Sequence, residues 1–283
     1  MNAPDFTKTL IIAGPTATGK TNLALKIAQN IPADLISADS RQVYQGLDVI
    51  PGKDVPDNFR KHKDKIQFQN QPIPIYTNGE TKIYGYDVVA PNQDWSVSLF
   101  NKFCGQVIPH LWSQKRLPIV VGGTGFYLQS LYQPIDTLHI PPNQSLRQKL
   151  QEKSVETLQE KLKKLDPKYF ASLNRSDKNN PRRLVRAIEV AQYKRENPNQ
   201  EPQQFILNKQ QTKKLLLAAP QEVVSEHIKK RVAKRFTQDW RSELKYLQQL
   251  NLDWSQPSAT SLGYRQLSKF EEGELTKNQA IKN

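Results

Sequence analysis

Apolar residues run unbroken over residues 10–13, and a spaced pattern follows over 21–30, where Leu23 and Ile27, with Ala24 and Ala28, recur at helical intervals. The first pattern predicts a buried strand and the second a helix. Two more apolar runs, 34–38 (DLISA) and 116–121 (RLPIVV), predict further buried strands. Between them lies IPIYTNGETKIYGYDVV, which predicts a β-hairpin with Asn78-Gly79 as its two-residue turn. Residues 95–112 place Val97, Phe100, Val107 and Leu111 at helical spacing, whereas 54–71 is polar and basic and predicts a loop or short helices. This alternation of strand and helix over residues 1–133 argues for an α/β fold built on a doubly wound parallel sheet.

The pattern changes at Pro134. Residues 134–214 contain no convincing strand, are rich in Gln, Lys and Arg, and form helical blocks at 145–165 and 181–194. A Pro-, Gln- and Asn-rich connector spans 196–211. A strand resumes at 215–218 (LLLA), and 222–250 reads as one long helical stretch bearing Lys229, Lys230, Arg231, Lys234 and Arg235. The expected layout is a core of 1–133 and 215–283, interrupted by a mainly helical insertion of 134–214.

Charge narrows the class. Against 27 Asp and Glu stand 41 Lys and Arg, a formal net charge of +14. The excess favours a polyanionic partner, nucleic acid before an anionic membrane surface, with solubility as the plain alternative. The single cysteine, Cys104, excludes an intramolecular disulfide and a multi-cysteine metal site. His62, His110, His139 and His227 show no metal-ligand spacing. No stretch approaches the roughly 18 apolar residues of a membrane span, and no secretory signal opens the chain. The expectation is a soluble, cytoplasmic protein without membrane association.

The chemistry begins after the first strand. Gly14-Pro15-Thr16-Ala17-Thr18-Gly19-Lys20-Thr21 fits the phosphate-loop (P-loop) pattern G-x-x-x-x-G-K-[ST] at every fixed position. The backbone N–H groups of such a loop and the helix N-terminus cradle a di- or triphosphate. Lys20 would neutralise the terminal phosphate and Thr21 would hold Mg²⁺; a plain helix cap is the alternative. Asp39, at the end of the second strand, is the carboxylate at the sheet edge where open α/β folds bind ligands. It could be a metal-site acid, a general base for a hydroxyl or another nucleophile, or a cap. The third strand ends in Gly122-Gly123-Thr124-Gly125, which offers a hydroxyl but no acid. Arg182, Arg183 and Arg186 fall near one helix face, for phosphate-backbone contact or simply for solvent.

Five blocks in order, GPTATGKT, DSRQVYQGLD, VGGTGFYL, NPRRLVRAIEV and SLGYRQL, resemble the tRNA dimethylallyltransferase (isopentenyltransferase) family over nearly the whole chain. The resemblance implies a P-loop fold used without ATP. The loop holds the diphosphate of dimethylallyl diphosphate, and the prenyl group passes to N6 of adenosine 37 beside the tRNA anticodon. Asp39 matches the family's general base, and Thr16, Thr18, Gly19, Lys20 and Thr21 its diphosphate loop. Ser40, Arg41 and Gln42 match the segment that contacts the target adenosine. Thr124 matches an active-site hydroxyl, while Arg147, Arg182–Arg186 and Gly263-Tyr264-Arg265 match regions contacting tRNA or the reacting groups. A monomer needing no protein partner is implied, and the lack of a Cys/His zinc-finger pattern implies the bacterial type. Two departures are visible: VIPGKDVP, with Lys53, stands where the family has a G-T-A-K-P-like run, and the IYGYDVV hairpin replaces a His-rich segment. Prenylation of free adenine nucleotides, a small-molecule kinase and an anticodon-binding protein without turnover are the competing readings.

Overall fold

The computed structural model describes residues 7–198, 204–252, 258–259 and 263–282. The first two residues of SLGYRQL, Ser261 and Leu262, lie outside these. Two compact units divide the chain, Met1–Pro134 with Phe205–Asn283 as one and Ile135–Gln204 as the other. The insertion therefore ends at 204 rather than 214. The polar segment that follows it belongs to the sheet unit, where Leu207 is buried and a strand starts at Thr212.

Among the described residues seven strands form one sheet: β1 (Thr9–Ala13), β2 (Ala33–Ser37), β3 (Arg60–Phe68), β4 (Gln71–Thr77), β5 (Lys82–Tyr84), β6 (Leu117–Gly122) and β7 (Thr212–Leu216). Their order is β3-β4-β5-β2-β6-β1-β7. β5, β2, β6, β1 and β7 run parallel, and β4 and β3 extend the sheet antiparallel. Successive residues of a strand face opposite sides. Ile11, Ile36 and Val120 enter one apolar cluster, while Ile12, Leu35, Ile119 and Val121 enter the other. Both faces being covered, these strands read as unbroken apolar runs. Helix α1 (Lys20–Ala28) covers one face through Ala24, and α2 (Val97–Ser113) covers the other with Phe100, Phe103, Val107, Ile108 and Leu111. The short α3 (Gly125–Ser130) follows β6 and adds Tyr127 and Leu128 to the cluster of Ile11, Ile36 and Val120.

The hairpin departs from expectation in two ways. Residues 60–68 form β3, an edge strand whose outward residues are charged and whose only apolar positions, Ile66 and Phe68, come last. With one neighbour and one wet side, it lacks the alternation that marks a strand. The tight two-residue turn is Gln69-Asn70, both at positive φ, joining β3 to β4. Asn78-Gly79 sits instead in a four-residue loop between Thr77 and Lys82, and Asn78 Oδ1 accepts the N–H groups of Glu80 and Thr81.

The inserted unit is helical: α4 (Gln144–Gln151), α5 (Val155–Leu165), α6 (Pro167–Ser172), α7 (Arg175–Lys178) and α8 (Pro181–Glu196). Asn143, Ser154, Asp166, Asn174 and Asn180 cap them in turn, each accepting a backbone N–H from the first turn. The predicted block 145–165 is thus broken where Ser154 starts a new helix. Leu146, Leu150, Leu158, Leu162, Leu184 and Ile188 fill this unit's own core.

Where the insertion leaves and rejoins the sheet unit, the two chain segments are laced together. Asn101 of α2 donates to Ser130 O and Phe205 O at 2.9 and 2.8 Å, and accepts the Phe205 N–H at 2.8 Å. The Leu207 N–H adds a bond to Leu131 O at 2.7 Å. Beyond β7 the chain forms α9 (Gln221–Phe236), α10 (Trp240–Gln249), α11 (Tyr264–Glu271) and α12 (Lys277–Lys282). The predicted stretch 222–250 is two helices, because Asp239 caps a fresh start by accepting the Ser242 N–H. No helix among the described residues is long and apolar enough to cross a membrane.

Candidate active site

Parallel strands deliver their carboxyl ends to one sheet edge, and three turns meet there. The loop after β1 carries Gly14 to Gly19, the turn after β2 carries Asp39, and the turn after β6 carries Thr124. The Ala38 N–H bonds Val121 O at 2.8 Å, and a Cβ on Gly123 would stand 3.3 Å from Gly14 O. Gly19, at φ 84°, turns the loop into α1 in a left-handed conformation open to glycine. Thr16 and Gly19 are exposed, and Ala17, at φ 64°, shares the bend. Thr18 Oγ1 and Lys20 Nζ both donate to Pro15 O, at 2.9 and 2.5 Å. Thr21, in the first turn of α1, is half-buried and its hydroxyl has no hydrogen bond among the described residues.

Asp39 is half-buried and accepts the Arg41 N–H on Oδ1 at 2.8 Å, leaving Oδ2 without a partner among the described residues. Burial lowers the Lys20 pKa, Arg231 lowers it further, and Asp39 opposes both. Those three charges therefore share one neighbourhood. Burial also pushes the Tyr86 phenol up, and the carboxylates of Asp54 and Asp39 add to it, so Tyr86 stays neutral beside the site.

The sequence reading missed one wall of this site. His227, Arg231 and Arg235 are four residues apart on α9 and share a face. His227 Nδ1 meets Ala17 O at 3.0 Å, Arg231 Nη2 donates to Gly52 O at 3.0 Å and pairs with Asp54, and Arg235 Nη1 donates to Ile50 O at 2.9 Å. Gly52, at φ 67°, leaves room for both guanidinium groups, which a Cβ would strike. Arg231 Nε and Arg235 Nε and Nη2 are buried donors without hydrogen-bond acceptors among the described residues. Burial, then Arg231, brings the Arg235 pKa down to about 10 against the pull of Asp54, Glu243 and Asp39. Two half-buried guanidiniums with unmet donors beside a lysine and a glycine-rich loop can receive a multivalent anion. The only sequence signal was the four-residue spacing, which Lys230 and Lys234 share.

Other predicted residues divide. Ser40 and Arg41 stay at the site edge, half-buried, and Thr124 opens α3 with its hydroxyl making no cap bond. The Gln42 side chain is committed to the fold: Oε1 accepts from Ser37 Oγ at 2.8 Å and Nε2 donates to Gly52 O at 2.7 Å. Gly263 packs against Ile50, and Tyr264 is fully buried with its hydroxyl on Glu243; Arg265 is exposed. The expected tRNA contact by the Tyr264 side chain is thereby corrected. In the helical unit Arg186 does not join Arg182 and Arg183 on one open face. It binds Glu189, Thr137 O and Ile140 O, because buried Glu189 needs cations around it. Arg147 grips the same carboxylate at 2.6 and 2.9 Å. Burial alone would raise the Glu189 pKa, but Arg147, the Asn143 N–H and Arg186 hold it low. Arg183 pairs with Asp177, and Arg182 is exposed.

Residues 74–283 match the family model described as IPP transferase, and 7–74 match that of isopentenyl transferase. The chain belongs to the IPP transferase family. This family member is 31% identical over 271 residues to tRNA dimethylallyltransferase 1 of Geotalea uraniireducens (strain Rf4), covering 95% of this chain and 80% of that protein. Its structure is similar to the full-length tRNA isopentenylpyrophosphate transferase of Bacillus halodurans, with 25% identity, a TM-score of 0.58, and coverage of 98% and 81%. The fold is also that of a eukaryotic dimethylallyltransferase acting on tRNA, at a TM-score of 0.70 and 21% identity over 98% of this chain and 65% of that one.

Proposed function

We propose that this IPP transferase moves the dimethylallyl group of dimethylallyl diphosphate onto N6 of adenosine 37 in tRNA, releasing diphosphate. The observation that carries the reading is the convergence of Arg231 and Arg235 on the 50–52 loop, with Lys20 and the half-buried carboxylate of Asp39 in the same electrostatic neighbourhood. The exocyclic amine is a weak nucleophile because its lone pair is delocalised into the purine. Asp39 Oδ2 accepts a hydrogen bond from it and takes its proton as the new N–C bond forms. The C–O bond to diphosphate breaks with its electron pair going to the leaving oxygen. Lys20, the loop N–H groups of residues 14 and 16–19 and the two arginines meet that growing charge from fixed positions. Thr124 adds a hydroxyl next to the reacting groups.

The donor set suits Mg²⁺, which takes oxygen ligands, keeps several waters and leans on substrate phosphates. The uncommitted Thr21 hydroxyl is such an oxygen, and no cage of three or more His, Cys, Asp or Glu exists among the described residues. Bound there, Mg²⁺ would stabilise the departing diphosphate as a Lewis acid. We assign tRNA contacts to Ser40, Arg41, Arg147, Arg182, Arg183 and Arg265, in keeping with the net charge of +14. The target base must leave its stack to reach Asp39, so the anticodon stem-loop is the part gripped. The proposed setting is the cytoplasm, with the chain acting as a monomer.

The test is incubation with Mg²⁺, dimethylallyl diphosphate and unmodified tRNA bearing adenosines at positions 36 to 38, with AMP and ATP as parallel acceptors. Nucleoside mass spectrometry should find N6-dimethylallyladenosine on tRNA alone. Product on AMP or ATP would replace the proposal with nucleotide prenylation, and ADP release from ATP would replace it with kinase chemistry.

A further inference from the structure

Three consecutive backbone N–H groups, those of Asp48, Val49 and Ile50, converge on a carboxylate from the far end of the sheet unit's sequence. Glu243 of α10 accepts the first two on Oε1, at 2.6 and 2.5 Å, and the third on Oε2 at 3.1 Å. Tyr264 Oη adds a fourth donor to Oε2 at 3.2 Å. Glu243 is 6% exposed, so this acidic group lies in the interior. Successive N–H groups form a concave nest that binds anions. Here the nest is filled from within.

The filled nest fixes the loop whose carbonyls hold the two arginines. Ile50, whose N–H points at Glu243, presents its carbonyl to Arg235 Nη1. Two residues on, Gly52 O receives Arg231 Nη2 and Gln42 Nε2. Gly263, one residue before the tyrosine, would place a Cβ 3.3 Å from Ile50. Around the other side Lys53 ties the loop to Tyr44 O at 2.8 Å and to Asp48 at 2.6 Å. The unmet donors of Arg231 and Arg235 keep their aim only while this loop keeps its shape.

We propose that Glu243, steadied by Tyr264, is a positioning residue for the diphosphate cradle, acting through the 48–52 loop on Arg231 and Arg235. The inference rests on the diphosphate reading given above. It assigns Tyr264 a role in anchoring the loop, in place of contact with RNA. Glu243→Gln tests it without changing volume. Four donors converge on the two carboxylate oxygens, and glutamine offers one oxygen while turning an NH₂ donor toward another donor.

The experiment measures binding of inorganic diphosphate with Mg²⁺ by calorimetry on the full chain, alongside KM for dimethylallyl diphosphate and kcat with tRNA. Glu243→Gln should weaken diphosphate binding about tenfold, the factor that roughly 1.4 kcal/mol represents. KM should rise with it and kcat should fall, because the two arginines also meet the charge of the departing diphosphate, while tRNA affinity stays within about twofold, a split that separates a disturbed cradle from general loss of structure. Tyr264→Phe, which keeps the ring and removes only the hydroxyl, should weaken binding by a smaller factor and serves where Glu243→Gln folds poorly. Wild-type affinity and KM in a folded Glu243→Gln or Tyr264→Phe chain would overturn the proposal. Failure of the unaltered chain to bind diphosphate would overturn the functional reading, and this inference with it.

Discussion

Lys53→Met should destabilise the sheet unit severely. Lys53 is 1% exposed and its ammonium lies between Asp87, itself 2% exposed, Asp48 and Tyr44 O. Removing one partner of a buried pair costs about 3–5 kcal/mol because a charge is left uncompensated. Asp87 would keep Lys61 and the Tyr76 hydroxyl, the latter at 2.7 Å, which places the loss near the lower bound, about 3 kcal/mol. For a unit of this size 1 kcal/mol shifts the melting temperature by roughly 2–4 °C, so a fall of about 6–12 °C is expected. Calorimetric melting of wild type, Lys53→Met, Asp87→Asn and the double variant forms the assay. Because the harm comes from a stranded carboxylate, the double variant should melt above Lys53→Met alone. The sign with pH follows. Burial would raise the Asp87 pKa, but Lys53 and its other partners outweigh burial and hold it below the usual value. The folded pKa being depressed, the stabilisation is present above about pH 3.9 and is lost as pH falls through the lowered value. A melting shift under about 2 °C, or simple additivity in the double variant, would refute the account.

Asp39→Asn keeps shape and removes the base, so single-turnover transfer should fall about 10²–10⁴-fold with tRNA affinity unchanged, and equal loss of both would remove the assigned role. Diphosphate affinity should fall as pH rises toward the lowered pKa of Lys20, earlier than an ordinary lysine allows, because the ammonium attracts the anion and the amine does not; Lys20→Ala should shrink that dependence to the part left by Arg235. Arg186→Ala should lower the melting temperature of the helical unit by stranding part of the Glu189 shell, whereas Arg182→Ala should leave stability alone and flatten the salt dependence of tRNA binding, as filter-binding titrations would read.

The central strands were legible because burial on both faces writes continuous apolar runs, and the glycine-rich loop because its turn and anion chemistry restrict residue type. Asp39 could be placed from the end of a strand alone. β3 was not legible, since an edge strand with a charged outer side has no alternation to read. The arginine wall was hidden for another reason. Arg231 and Arg235 look like any basic residues on a surface helix, and only Gly52, far away in sequence, makes room for them. Arg186 erred in the opposite direction, reading as an open cation because its buried partner, Glu189, looks ordinary in sequence.

The lacing of Asn101, Ser130, Leu131, Phe205 and Leu207 bears on how such a chain can vary. With the outgoing and returning segments bonded side by side, the sheet unit already has its loop closed, whatever lies between. Closure entropy grows only slowly with loop length, so helices could be gained or lost there at little cost to the sheet unit. The clasp makes the inserted helical unit a replaceable attachment, whose helices can change without reopening the sheet unit.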